Sequence, residues 1–158
     1  VSKEKCGEIM QIENITFNEI KSIWKNYLWK NRETPIKPMS SITIKNSIDM
    51  SIYNNVPTFF ALKDNGIISG VISGFSTSET DYRCRGIYVF PKYRGQNLSR
   101  QLFQACVNQA IKEDKSLLWS IPRKSAYYAY KAFGFKRITE WSDEFEFGPN
   151  CFAELVIK

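Results

Sequence analysis

The segment Ile87-Tyr88-Val89-Phe90-Pro91-Lys92-Tyr93-Arg94-Gly95-Gln96-Asn97-Leu98-Ser99-Arg100 reads as a strand that stops at a proline and turns through a Gly-containing loop into a helix. The first turn of a helix carries unpaired N–H groups and a partial positive charge, so this junction can hold a pyrophosphate directly. Arg94 and Arg100 would add charge to it. Strand-turn-helix junctions are also common without any ligand, and Asn97 or Ser99 would serve equally as a plain N-cap.

The rest of the chemistry is bounded by what the chain lacks. It has no histidine, which removes Ser-His and Cys-His nucleophile systems and the usual imidazole base. Catalysis would have to use tyrosine, carboxylates, backbone groups or water. Cys6, Cys84, Cys106 and Cys151 are widely separated and form no Cys-x-x-Cys pair. A zinc site or disulfide framework is therefore not expected, and the thiols should be reduced and mostly buried. On the strand before the loop, Arg83 and Arg85 stand two residues apart and share one sheet face. They would either hold an anion, exclude a cation, or simply dress an exposed face.

Charge is concentrated around the same segment. Residues 82–139 hold twelve Lys and Arg against Glu113 and Asp114, a local balance of +10 within a net charge of +6. Such a basic half suits a phosphate-bearing partner, a nucleotide-like cofactor or a nucleic acid, as well as solvated helix faces. No nucleic-acid motif accompanies it, so no nucleic-acid partner is expected.

The elements that must position these residues follow from periodicity. At 158 residues with 43% apolar content, the chain has the size and core volume of one domain, spanning residues 1–158. A first strand is expected at Gly7 to Ile12. Thr16 to Glu19 has capping-box spacing, with Ile15 and Ile20 as a staple, opening a helix to about Asn31. Residues 40–53 fit a helix by their isoleucine spacing and a strand by their β-branching; helix is preferred. Thr58 to Leu62 and Ile67 to Phe75 flank an Asn65-Gly66 hairpin turn, and Tyr82 to Phe90 is a third strand. A helix striped by Leu98, Leu102, Phe103, Cys106 and Ala110 leads to a strand at Leu117 to Ile121, a βαβ unit. Ala126 to Phe133 is a short helix ended by Gly134. Phe145 to Phe147 and Phe152 to Ile157 bracket a closing hairpin. With no apolar run of about eighteen residues and a polar N-terminus, a cytoplasmic protein without membrane contact is expected.

Two motifs on this frame carry a resemblance. Val89-Phe90-Pro91-Lys92-Tyr93-Arg94-Gly95 looks like the opening half of a V-x-P-x-Y-R-G-x-G-x-G stretch, and Tyr130-Lys131-Ala132-Phe133-Gly134-Phe135 is similar to a Y-x-K-x-G-F signature, with Lys131 one place early. Together, across one β-α-β-α unit, they resemble the GNAT superfamily of acyl-CoA-dependent N-acyltransferases, most clearly over residues 58–140. The resemblance implies an α/β (α+β) fold, a mixed six- or seven-stranded sheet with helices on both faces. It implies an enzyme moving acetyl from acetyl-CoA to a primary amine by direct attack. Val89, Arg94, Gly95, Gln96, Asn97, Leu98, Ser99 and Arg100 would bind the cofactor, between the Tyr82 to Phe90 and Leu117 to Ile121 strands. Tyr130 would be the catalytic side chain, steadying the departing thiolate. With a phenol pKa of about 10 against about 8.5 for a thiol, full proton transfer is uphill by roughly 2 kcal/mol, so hydrogen bonding is the safer role. Lys131 or Arg123 are the cations that would lower that phenol.

Departures from the family pattern matter for the chemistry. Asn97 and Ser99 fill two positions that are glycine or alanine in the family. Asn tolerates the left-handed conformation and Ser is small, so phosphate approach is hindered rather than excluded. The family's strand glutamate would fall at Arg85. Glu79, Asp81, Glu154 or water are left as bases. An acidic group, Glu140, Asp143, Glu144 and Glu146, would favour a cationic acceptor if it borders the site, or merely protects a sheet edge. By the resemblance the acceptor would be a small-molecule or peptide amine, and a homodimer is left open. The rival reading is a GNAT-fold acyl-CoA-binding or regulatory module with little or no catalysis.

Overall fold

The computed structural model describes residues 10–42 and 50–158. Thr16 caps helix α1 (Phe17–Ile23) as a full capping box. Its hydroxyl accepts from the Glu19 N–H at 3.2 Å and its own N–H donates to Glu19 Oε1 at 2.9 Å. Ile15 and Ile20 are both buried, as the staple requires. Thr16→Ala should cost about 1 kcal/mol by urea unfolding, with the slope of the transition unchanged. The helix is shorter than its sequence suggests. Trp24–Leu28 continue as a wider π turn, in which the Trp29 N–H donates to Trp24 O at 2.6 Å, and the regular helix stops well before Asn31. Packing between the Trp24 and Trp29 rings, 4.9 Å apart, accompanies that widened turn.

Seven strands form one sheet in the order β1-β2-β3-β4-β5-β7-β6. They are β1 (Met10–Asn14), β2 (Thr58–Asp64), β3 (Ile67–Ser76), β4 (Asp81–Val89), β5 (Leu117–Ser120), β6 (Lys136–Arg137) and β7 (Ala153–Val156). The first strand runs on to Asn14, past the expected end at Ile12, and residues 7–9 of that expectation fall outside the described residues. β2 and β3 meet through Asn65 and Gly66, whose φ values of 51° and 85° are those a two-residue hairpin turn demands. Among the described residues only β4 and β5 are parallel, and helix α2 (Leu98–Lys112) makes the crossover between them. Helix α3 (Tyr127–Phe133) follows β5 and stops at Gly134, as its sequence predicts.

Helices cover both faces. α1 packs with Phe59, Ala61 and Val71 on one face. α2 and Tyr130 of α3 pack with Leu62, Ile72, Tyr82 and Cys84 on the other. Cys84, Cys106 and Cys151 are buried free thiols, as expected; Cys6 lies outside the described residues. Among the described residues no helix is long and apolar enough to cross a membrane, and no cluster of His, Cys, Asp and Glu could hold a metal.

Of the helix preferred over 40–53, Met50–Asn54 form a 3-10 turn, and positions 43–49 lie outside the described residues. The closing hairpin is built differently. Phe145 to Phe147 form no strand; β7 instead pairs β6 on one side and β5 on the other, and Ser142 and Asn150 bridge the connection. The physical reason is that the segment 145–148 closes its own turn, with the Gly148 N–H donating to Phe145 O at 3.2 Å, while Ile138 and Thr139 take the hydrogen bonds of Phe152.

Candidate functional site

β4 and β5 run side by side only as far as the Arg83–Trp119 pair. The Ser120 hydroxyl bridges the widening gap by donating to Cys84 O at 2.7 Å, after which β5 ends and β4 continues to Val89 paired with β3 alone. A bulge marks this part of β4: Ser73 pairs with Arg85 and Val71 with Tyr88, so Ile72 faces both Gly86 and Ile87. Gly86 is required there. Its φ is 70°, and a Cβ would run into the Trp24 indole, whose N–H donates to Gly86 O at 2.8 Å.

The loop after β4 leads to an open helix end. The Phe90 N–H donates to Ser69 O on β3, so by strand alternation Val89 turns its N–H and C=O into the gap. Arg94 Nε donates to that Val89 carbonyl at 2.9 Å, folding the loop back over the strand end. Gly95 and Asn97 both have positive φ, 80° and 59°. In that left-handed conformation Asn97 occupies the N-cap position but its side chain caps nothing, and the first turn of α2 holds no acid. The expectation of a simple side-chain cap is therefore not met. Gly95, Gln96, Asn97 and Arg100 are exposed, Ser99 is half-buried, and Leu98 is buried in the core beneath the loop. The sequence-predicted binding residues thus converge on one strand end and one helix N-terminus.

Tyr130 enters the same gap from α3. It is 5% exposed, with Phe103 and Phe135 rings 4.8 and 5.3 Å from its own. Burial pushes its phenol well up from the usual value; the nearby Ser120 hydroxyl and the Arg83 guanidinium pull weakly the other way. The cation that acts on it most is thus Arg83; of the two expected, Arg123 interacts with the phenol and Lys131 is not among the groups that shift it.

Arg83 and Arg85 do not dress an exposed face. They are 8% and 5% exposed. The Arg85 guanidinium lies 5.0 Å from both the Trp24 and Trp29 rings and donates to Lys37 O at 2.8 Å. Arg83 lies 5.2 Å over the Trp119 ring, and its Nε and Nη1 are buried without a partner among the described residues. Burial lowers the pKa of Arg83 to about 10, which leaves it a cation at neutral pH. This stacked, buried arginine pair is what sequence reasoning missed. The i, i+2 spacing was visible, but the tryptophans that cover it come from distant segments.

The acidic group serves the scaffold in part. Glu146 accepts from the Glu33 N–H at 2.8 Å and the Thr34 hydroxyl at 3.1 Å, and Glu140 meets Arg137 at 3.7 Å. Of the three carboxylates weighed as bases, Asp81 starts β4 and accepts from the Thr80 hydroxyl. Glu79 precedes that strand in the turn. Glu154 is paired with Trp119, which is paired with Arg83, so the three side chains line one sheet face in register.

No curated protein matches the chain by sequence. A family model described as the acetyltransferase (GNAT) domain matches residues 55–137. Solved structures share the fold at low identity. Ard1 from Thermoplasma volcanium has a TM-score of 0.71 and 15% identity, covering 95% of this chain and 99% of its own. The ribosomal-protein-S18-alanine N-acetyltransferase from Escherichia coli has a TM-score of 0.63 at 16% identity, covering 94% of each chain. A GNAT family acetyltransferase from Elizabethkingia anophelis, solved with acetyl-CoA bound, has a TM-score of 0.60 at 15% identity, covering 94% of this chain and 99% of its own. The matched span runs from β2 through β4, the open helix end and Tyr130 to β6, and with it the chain belongs to the GNAT acetyltransferase family.

Proposed function

We propose that this protein transfers an acetyl group from acetyl-CoA to a primary amine by direct attack of the amine on the bound thioester. The observation that carries the reading is the parting of β4 and β5 beside an uncapped N-terminus of a fifteen-residue helix, with a buried tyrosine in the same gap. The residues present fit the donor. The free N–H groups of Leu98, Ser99 and Arg100, with Arg94 and Arg100 nearby, would hold the diphosphate, and Gly95 to Asn97 would wrap it. The Val89 N–H would pair with the pantetheine arm or polarise the thioester oxygen, where a backbone donor acts on the charge that grows during attack. Tyr130 would donate a hydrogen bond to the departing thiolate. Glu154 is the carboxylate best registered to accept the amine proton, directly or through water.

Asn97 and Ser99 support rather than oppose this reading. Asn97 already holds the left-handed conformation a glycine would supply, and its side chain leaves the helix amides uncovered. Ser99→Asp tests the site without disturbing the fold. A carboxylate in the first turn stabilises a helix by about 0.5 kcal/mol through its dipole but repels phosphate. Calorimetry should therefore show acetyl-CoA and desulfo-CoA binding weakened by about 10-fold or more while the melting temperature holds or rises. If Ser99→Asp binds acetyl-CoA as the parent does, the diphosphate lies elsewhere; if the parent itself gives no heat, the assignment as a transferase fails.

A further inference from the structure

Arg83 is the one buried guanidinium of the site left without a hydrogen-bond partner at two of its nitrogens among the described residues. Its neighbour Arg85 shows how this fold treats an arginine it uses as structure: sandwiched between two indoles and tied to a backbone carbonyl. Arg83 has the aromatic face but not the tie. A buried guanidinium with idle donors is costly to keep unless an anion completes it. None of the ion pairs among the described residues reaches it. Arg32 acts on both guanidiniums, and Arg83 and Arg85 stand on one face, so cations crowd this spot.

Its position says which molecule would bring the anion. Arg83 sits at the last paired rung of β4 and β5, where the gap begins, and it interacts electrostatically with Tyr130. Its side chain shares a face with Arg85 under α1, opposite to the face on which α2 packs Tyr82 and Cys84. The diphosphate end of the donor belongs to the α2 side, so the face of Arg83 is left to the acceptor. Two strands across on that face stands Glu154, beyond the Trp119 ring. The rung therefore presents a cation, a flat aromatic surface and a carboxylate in sequence, with the exposed Lys136 of β6 paired beyond Glu154; the stretch from Arg83 to Glu154 is complementary to a molecule with an anion at one end and an ammonium at the other.

We infer that the acceptor is an amine that also carries a carboxylate, of the amino-acid type, with its carboxylate held by the idle nitrogens of Arg83 and its amino group toward Glu154. This deepens the proposed acetyl transfer and rests on it. A guanidinium presents planar donors that match a carboxylate, which a lysine cannot reproduce. A primary amide in place of the carboxylate would offer one neutral acceptor oxygen but no charge and no bidentate pair for the guanidinium.

The test compares L-alanine, L-glutamate, L-lysine and L-phenylalanine with their primary carboxamides, followed by thiol release from acetyl-CoA. At least one free acid should exceed its amide by about 10-fold or more in kcat/KM, the size expected of a charge-assisted pair. Arg83→Met, matched in volume, should abolish that preference by raising KM for the acid by about 10-fold more than for the amide; Arg83→Lys should keep only part of it. Binding is read separately from turnover. The N-acetyl derivatives of the same four acids should raise the melting temperature of the parent, but not of Arg83→Met, while their amides raise neither. Amides equal to or better than acids, a preference that survives Arg83→Met, or an equal loss for both in that variant would each overturn the inference. Thermal shifts by the acids without any thiol release would sink the transfer reading and leave the carboxylate site standing. No shift and no release from any acid would sink the site itself. Should Arg83→Met not fold, Arg83→Lys and the acid-against-amide comparison on the parent still decide it.

Discussion

Tyr130→Phe should lower kcat by about 100-fold while KM for acetyl-CoA stays within about twofold. The phenyl ring keeps the packing of Tyr130 against Phe103 and Phe135, so the fold is not at stake. Only the hydroxyl is removed. Burial holds that hydroxyl protonated well above its ordinary range. A phenol so placed is a poor proton donor to a thiolate, whose conjugate acid has a pKa of about 8.5, but it is a fixed hydrogen-bond donor in a dry setting. In the proposed transfer the interaction would strengthen as charge moves to sulfur and be slight in the ground state, so the loss should fall on kcat rather than KM. Because the raised phenol loses its proton only above its usual range, the rate should show no alkaline fall due to Tyr130 below about pH 10. Turnover of Tyr130→Phe equal to the parent, in stopped assays with a saturating amine, would remove the residue from the reaction.

Trp24→Ala should destabilise the protein by about 3–5 kcal/mol, measured as a shift of the urea midpoint. The indole is wholly buried. It packs on Trp29, flanks the Arg85 guanidinium, and donates to the Gly86 carbonyl in the bulge of β4. Truncation opens a cavity, strips one wall from a buried cation and orphans a carbonyl. Trp24→Phe separates these effects: it keeps a ring and loses the donor, and should cost about 1–3 kcal/mol. If Trp24→Ala moves the midpoint by less than about 1 kcal/mol, the bulge is held by other contacts.

The local elements were readable because their causes are local. The Asn65-Gly66 turn, the Thr16 capping box, the stripe of α2 and the stop at Gly134 each depend on residues within a few positions. The π turn at Trp24 to Leu28 and the pairing of β7 with β6 and β5 were not readable, since ring packing and competition among distant backbone donors set them.

The site divides along the same line. The strand-loop-helix junction and the tyrosine helix are written in contiguous residues, so the sequence by itself determined that a glycine-containing helix entry and a nearby tyrosine belong to one β-α-β-α unit. That Arg83 and Arg85 are buried, that one is tied while the other keeps two nitrogens idle, and that Glu154 lies across Trp119 from it, only the tertiary structure decided. Burial and cross-strand register bring together residues 24, 29, 83, 119 and 154, whose separation along the chain carries no trace of their proximity.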